Sequence, residues 1–179
     1  MIRHLRALVA GAAVTTALAA GVPFGTGSAA ADVLDVTCVG TQTVTYNPGL
    51  TLQPKLQSIH FNNIFAPCVS ATVPELTSGV SIGTAQRVAS CLDLAEPDSS
   101  VLTINWNISQ SSVFAYNRTV TTVGGTTVVT LTGVITFGLF AGDTAIIVTT
   151  GPAINLLDCL SPPGVTNRAG VVALTITST

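Results

Sequence analysis

The chain has 179 residues, of which 47% are hydrophobic and only 8% are Asp, Glu, Lys or Arg, and its formal net charge is −2. Average soluble domains carry about 25% charged residues, so this composition excludes a coiled coil and a charge-rich disordered tail. A basic nucleic-acid-binding surface is excluded for the same reason.

The N-terminal segment has the pattern of a secretory signal peptide. A basic start at residues 3–6 precedes an uncharged run of Ala, Val and Leu at residues 7–22, and small residues follow at 29–31. The apolar run is shorter than the roughly 20 residues that a membrane span needs. We therefore predict a signal peptide over residues 1–31, a secreted extracellular domain over residues 32–179, and no membrane contact of the mature form.

The predicted mature domain is more acidic than the whole chain. Its four basic residues stand against all eight acidic residues of the sequence, which gives a formal charge of −4. Such a surface does not attract phosphate backbones or anionic lipids. We expect no nucleic-acid partner.

The four cysteines, Cys38, Cys68, Cys91 and Cys159, all lie in this domain. An even number of cysteines in an oxidising compartment predicts two disulfides. A metal site is not expected because the chain has no C-x-x-C motif, and no other cofactor is indicated. Of the three possible pairings we favour Cys38–Cys68 with Cys91–Cys159, each of which would destabilise the unfolded chain by roughly 3 to 4.5 kcal/mol.

The mature sequence predicts β-strands almost throughout. Thr and Val together make up 43 of its 148 residues, and apolar residues alternate with Thr or Asn from Leu102, from Val129 and from Val172. Alternation with period 2 is typical of strands with one buried and one exposed face. Turns are predicted at 47–49, 124–125 and 142–143. The predicted strands are 33–39, 42–46, 56–61, 67–73, 79–92, 101–108, 112–122, 126–138, 144–150 and 169–177.

These elements predict an all-β domain, a single antiparallel β-sandwich of immunoglobulin-like architecture. Trp106 follows Cys91 by 15 positions and Cys159 follows it by 68. In immunoglobulin domains such a tryptophan packs on the disulfide between the two sheets. The chain departs from that family because Leu157 stands where a tyrosine is expected, and because too much sequence precedes Cys91.

A second resemblance covers most of the mature domain. It rests on the segment from Cys38 to Thr51, on Pro67-Cys68, on residues 77–79 and on the run from Gly133 to Asp143. Together these segments resemble a group of small secreted proteins of actinomycete bacteria. The resemblance implies export and a β-rich fold, and it brings no catalytic residues with it.

The residues that could support catalysis are few. His60 is the single histidine of the mature domain, and a serine nucleophile needs such a histidine within hydrogen-bond reach. Asp93, Glu96 and Asp98 form an acidic loop that could serve a glycosidase or bind calcium, but a solvated loop is the simpler interpretation. We predict no catalytic residues.

The candidate ligand-binding residues are Phe114, Tyr116 and Arg118, which share one face of a predicted strand. Aromatic rings can stack on sugars, although packing in the core is an equally ordinary role for them. We expect a non-enzymatic structural or interaction module of the bacterial cell exterior. The alternatives are a module that binds carbohydrate or the cell wall and a small secreted hydrolase. A partner would be cell-wall carbohydrate or another secreted protein.

Overall fold

The computed structural model describes residues 33–178, which form eight strands and two short 3-10 turns. The predicted signal peptide, residues 1–31, lies outside the described residues. The turns are Leu92–Ala95 and Leu156–Cys159. The strands are β1 (Val33–Leu50), β2 (Lys55–Ser70), β3 (Gly79–Ala89), β4 (Asp98–Trp106), β5 (Ser111–Val123), β6 (Thr126–Gly138), β7 (Thr144–Pro152) and β8 (Val165–Ser178).

The eight strands form one closed antiparallel barrel. Each strand pairs with the next along the chain, and β1 also pairs with β8, from Val33 opposite Ser178 to Leu50 opposite Val165. The prediction of an all-β antiparallel fold is confirmed, but the prediction of an immunoglobulin-like β-sandwich is wrong. Closure gives the first and last strands a partner on both sides, so the two open edges of a sheet are lost.

Fewer and longer strands are present than the sequence predicts. Residues 33–50 form one strand where two were expected, and so do residues 55–70. Gly40 does not end a strand: a Cβ atom at this position would lie 1.8 Å from the carbonyl oxygen of Ile64. The glycine therefore allows β1 and β2 to approach closely at a bulge, and both strands continue past it.

The barrel has two distinct ends. The described termini and the 71–78 loop lie at one end, which we call the terminal end, because β1 begins there and β8 finishes there. The 90–97 and 153–164 loops lie at the other end, the loop end, and they carry the two 3-10 turns. The predicted tight hairpin is confirmed at Gly124-Gly125, where both residues have positive φ values of 59° and 78°.

Two clusters of buried side chains lie inside the barrel. The larger core includes Phe65, Trp106 and Phe114, and the smaller core includes Leu50 and Leu94 at the loop end. Inward positions alternate with an exterior of Thr and Val. Within residues 33–178, no helix is long and apolar enough to cross a membrane.

The two predicted disulfides are confirmed. Cys38 is bonded to Cys68, its direct partner in the β1–β2 pairing, and Cys91 is bonded to Cys159 across the loop end. Trp106 belongs to the larger core, whereas Cys91 and Cys159 belong to the smaller one. The Cys…Trp…Cys spacing therefore does not describe a tryptophan on a disulfide, and the immunoglobulin resemblance fails at this point.

Candidate functional site

A cavity of about 330 Å³ lies inside the barrel between the two cores. Eight-stranded barrels have interiors that are either filled by side chains or just wide enough for one small ligand. This volume falls at the lower end of the usual range for ligand pockets, about 300 to 1,000 Å³. Residues from all eight strands line it: Gln42, Val44, Tyr46, Ile59, Phe61, Asn63, Ala85, Gln86, Arg87, Leu94, Asp98, Ser100, Val101, Leu102, Tyr116, Arg118, Val129, Leu131, Thr149 and Arg168.

The space arises from small residues on the inner face of β3. Gly79, Ser81, Gly83 and Ala85 occupy alternate positions of this strand. A Cβ atom at Gly79 would lie 2.6 Å from the Trp106 ring, so a bulky ring already fills the room at that level. At Ala85, nearer the loop end, the space beside the small side chain is part of the cavity.

Three arginines from three strands line this cavity: Arg87 from β3, Arg118 from β5 and Arg168 from β8. They are three of the four basic residues in the predicted mature domain, in which Lys55 is the fourth. The cavity is therefore a region of concentrated positive charge in a domain whose formal charge is negative. Such charge inside a cleft attracts an anion more strongly than the same charge on an open surface.

Arg118 is held by the first 3-10 turn. Its guanidinium donates hydrogen bonds to the carbonyl oxygens of Leu94 and Glu96, the latter at 2.6 Å. Burial lowers the pKa of Arg118, and the positive charges of Arg87 and Arg168 act in the same direction. The side chain keeps its proton at neutral pH because the ordinary pKa of arginine lies far above neutrality.

Tyr46 and Arg168 form a second polar group on the same side of the cavity. Burial raises the pKa of the Tyr46 hydroxyl, while the charge of Arg168 and its hydrogen bond to that hydroxyl act in the opposite direction. The charges of Arg118 and Arg87 also lower it. Tyr46 is therefore an uncharged hydroxyl within a positive environment, able to donate to an anion or to accept from Arg168.

The barrel has a lateral gap between β3 and β4. Among residues 33–178, their pairing comprises only Gly79 with Trp106 and Val80 with Asn105. Gln86 and Val101 occupy outward positions of the two strands, yet both line the cavity. The cavity therefore reaches solvent between these strands, and the Arg87–Asp98 ion pair spans the gap at 3.0 Å.

The loop end covers the cavity. A smaller space of about 150 Å³ lies beneath the two loops and shares Leu94 and Arg168 with the main cavity. The Cys91–Cys159 disulfide ties one loop to the other. The cavity is thus covered by the first 3-10 turn, which Arg118 holds through hydrogen bonds, and by two loops that one disulfide joins.

The three candidate ligand-binding residues lie on the inner face of β5, but they differ in position. Phe114 is fully buried in the larger core, and its ring centroid lies 5.5 Å from that of Tyr116. Tyr116 and Arg118 line the cavity. An exterior aromatic platform is therefore not formed by Phe114 or by Trp106, which is also buried.

The acidic loop forms hydrogen bonds with its own backbone and with two of the arginines. The Asp93 carboxylate accepts hydrogen bonds from the Ser90 hydroxyl at 2.7 Å and from its backbone N–H, and these bonds lower the pKa of Asp93. The carbonyl oxygen of Glu96 accepts from Arg118, and Asp98 pairs with Arg87. Among residues 33–178, no three His, Cys, Asp or Glu side chains are grouped to hold a metal ion.

His60 lies away from the cavity. It occupies an outward position of β2 and is exposed, and its Nδ1 lies 3.2 Å from the hydroxyl of Thr84 on β3. A catalytic histidine needs a nucleophile and a cleft that binds substrate. The cavity that would supply the cleft is on the opposite face of the sheet.

Sequence reasoning missed Tyr46, Arg87 and Arg168. Their signal is the phase of the alternation: Arg168 is in register with Val172 and Leu174, which were predicted to face inward. An arginine in phase with a buried face, in a chain with so few charges, is the pattern that indicates a charged interior. Comparisons with known protein families, with curated proteins and with solved structures give no match. Function is therefore inferred from the cavity.

Proposed function

We propose that this protein is a secreted, non-enzymatic binding protein of the bacterial cell exterior that holds one small molecule inside its barrel. The observation that carries the proposal is the cavity of about 330 Å³ between the two cores, with its lateral gap at β3 and β4. A partly apolar cavity with a few convergent polar groups is the usual form of a small-molecule site. This is an interaction module whose interaction surface is internal.

The chemistry of the lining favours binding over catalysis. The guanidinium groups of the arginines are hydrogen-bond donors only, and the Asp98 carboxylate is paired with Arg87. Neither type of group is then available as a general base. The lining supplies instead apolar contact from side chains such as Phe61 and Leu131, together with hydrogen-bond donors.

Export is supported by the signal-like N-terminal sequence and by the two disulfides, which form and persist in oxidising compartments. Expression of the full chain in an actinomycete host, followed by mass spectrometry of the culture supernatant, tests it. We expect a protein that begins at Asp32 and contains no free thiol. Retention of the full-length chain inside the cells would contradict the proposal.

Binding can be tested with an uncharged naphthylamine dye whose fluorescence rises in apolar surroundings. We expect saturable binding of one dye per barrel. Ala85→Phe places a ring in the cavity and should weaken binding about tenfold or more, equivalent to ~1.4 kcal/mol. Val88→Phe is the matched control, because Val88 lies on the exterior of the same strand and is 66% exposed.

Circular dichroism and urea unfolding should show that both variants fold. If Ala85→Phe and Val88→Phe bind the dye equally well, the dye occupies the exterior and the proposed site is wrong. Absence of saturable dye binding to the wild-type protein would contradict an apolar internal site directly.

A further inference from the structure

We infer that the ligand is an amphipathic carboxylic acid with a single medium-length chain, whose carboxylate is bound by Arg118 and Arg168 with the Tyr46 hydroxyl. The inference rests on the proposed function and names the chemical class of its ligand. It follows from the positions of the charged and the apolar side chains that line the cavity.

The cavity has more positive than negative side chains. Three arginines line the cavity with one carboxylate, Asp98. Among residues 33–178, Arg87–Asp98 is the single ion pair. Arg118 and Arg168 therefore line the cavity without a carboxylate partner, and Arg118 is partly desolvated by burial. Removing charge from water is unfavourable unless an opposite charge compensates it, so this arrangement of arginines favours an anion.

The cavity is charged toward the loop end and apolar toward the larger core. Arg118 contacts the first 3-10 turn, and Arg168 also lines the smaller space beneath the loops, so both lie toward the loop end. Leu102 belongs to the larger core and pairs with Phe114 of β5, four positions from Arg118 toward the terminal end. A molecule with a charged head and an apolar tail matches this division, with the head under the loops.

Gln57 supplies a buried amide beside one of the three arginines, Arg87. Gln57 lies directly opposite Arg87 in the β2–β3 pairing and is fully buried. Its side-chain oxygen and nitrogen have no hydrogen-bond partner among the described residues. Nearly all buried amides in folded proteins are paired, so this neighbourhood has capacity for further polar contacts.

A carboxylate is the head group that this geometry favours. Guanidinium groups bind carboxylates through two parallel hydrogen bonds, and a neutral hydroxyl such as Tyr46 can add a third. The cavity is at the small end of the range for ligand sites, so one chain of moderate length fits better than a two-chain lipid. The lateral gap gives an extended chain a route into the barrel.

The test compares decanoate, decanol and decyltrimethylammonium, which share a chain and differ in charge, as competitors of the neutral dye below their micelle concentrations. We expect decanoate to bind at least about tenfold more tightly than decanol, and decyltrimethylammonium to bind most weakly. Arg168→Gln should reduce the preference for decanoate over decanol to within about threefold, with each competitor measured against the dissociation constant of the dye in that variant. Raised salt concentration should weaken binding of decanoate alone.

Lys55→Gln is the matched control, because it removes the one basic residue of the domain that does not line the cavity. Arg118→Gln removes the hydrogen bonds to the first 3-10 turn as well, so it is used only if its unfolding curve matches that of the wild type. If the dye binds but decanoate and decanol compete equally, the inference is wrong and the proposed function stands. If the dye shows no saturable binding to the wild-type protein, the proposed function itself is wrong.

Discussion

Arg87 and Asp98 form an ion pair across the gap between β3 and β4, with Nη1 of the arginine 3.0 Å from Oδ2 of the aspartate. Both side chains are half exposed, at 42% and 46%. Exposed ion pairs of this kind contribute about 0 to 1 kcal/mol to folding stability. Its position matters more than its stability contribution, because it bridges the place where two neighbouring strands are not paired.

The double variant Arg87→Gln with Asp98→Asn removes this bridge and keeps the net charge unchanged. We expect the neutral dye to associate and dissociate several-fold faster, with little change in its dissociation constant. The free energy of unfolding should fall by less than about 1 kcal/mol. Stopped-flow fluorescence measures the two rates.

Ser99→Ala is the control for this experiment, since its hydroxyl donates to Asn117 across the fully formed β4–β5 pairing and not across the gap. It should leave both rates unchanged. If the double variant also leaves them unchanged, ligands do not pass between β3 and β4.

The strands were predictable from the sequence because alternation is a local property. Residues 102–106 and 129–135 show which positions face inward without reference to any distant residue. Phe137 continues the same alternation but is 70% exposed, because the register of β5 and β6 shifts between Val113 and Phe114. Closure is different, since it requires β1 to pair with β8 more than 100 residues away. A sandwich and a barrel present the same alternation, so the pattern alone could not separate them.

The site was only partly predictable for a related reason. The sequence identifies Tyr116 and Arg118 as candidates because they share a strand face, but it does not show what that face lines. Inside a barrel, the same face lines the cavity. Arg87 and Arg168 lie far apart in sequence, and only the closed sheet brings both to the same cavity as Arg118.

A buried hydrogen-bonded link in the larger core should be important for stability. Ser112 is fully buried; it accepts from Trp106 Nε1 at 2.8 Å and donates to the carbonyl oxygen of Leu139 at 2.6 Å. Ser112→Ala leaves both partners unsatisfied, so we expect a loss of about 1 to 3 kcal/mol in the free energy of unfolding.

Urea unfolding followed by tryptophan fluorescence measures this loss. The control is Ser99→Ala, whose exposed hydroxyl should contribute within about 0.5 kcal/mol. A Ser112→Ala variant as stable as the wild type would mean that water replaces the missing contacts.

The two disulfides should differ in their effect on binding more than in their effect on stability. They enclose 30 and 68 positions, for which the chain-entropy model gives about 3.6 and 4.4 kcal/mol. Replacement of Cys91 and Cys159 by Ser also frees the two loops that cover the cavity, so the dye should dissociate faster. Replacement of Cys38 and Cys68, whose strands remain paired, should leave its dissociation rate unchanged.

Calorimetry and stopped-flow measurements on the two double variants test this difference, and each variant is compared at a temperature where it is folded. Equal dissociation rates for the two variants would show that the loop-end crosslink does not restrain the cover of the cavity.

Asp143 should make the protein less stable as the pH rises. Burial raises the pKa of this carboxyl, and the nearby Asp35 raises it further through its negative charge and a hydrogen bond. The folded state therefore holds a proton that the unfolded state loses near pH 3.9. The stability contribution of this proton is complete below that pH, and it is lost as the pH rises through the folded pKa.

Asp143→Asn removes the charge, so we expect the variant to gain stability over the wild type at pH 7 and the gain to shrink as the pH falls toward 4. Urea unfolding at several pH values measures the difference. Asp158→Asn, on the exposed second 3-10 turn, is the matched control for the removal of one carboxylate. A gain from Asp143→Asn that is the same at pH 4 and pH 7 would show that the pKa of Asp143 is not raised in the folded protein, because a raised pKa makes the difference depend on pH.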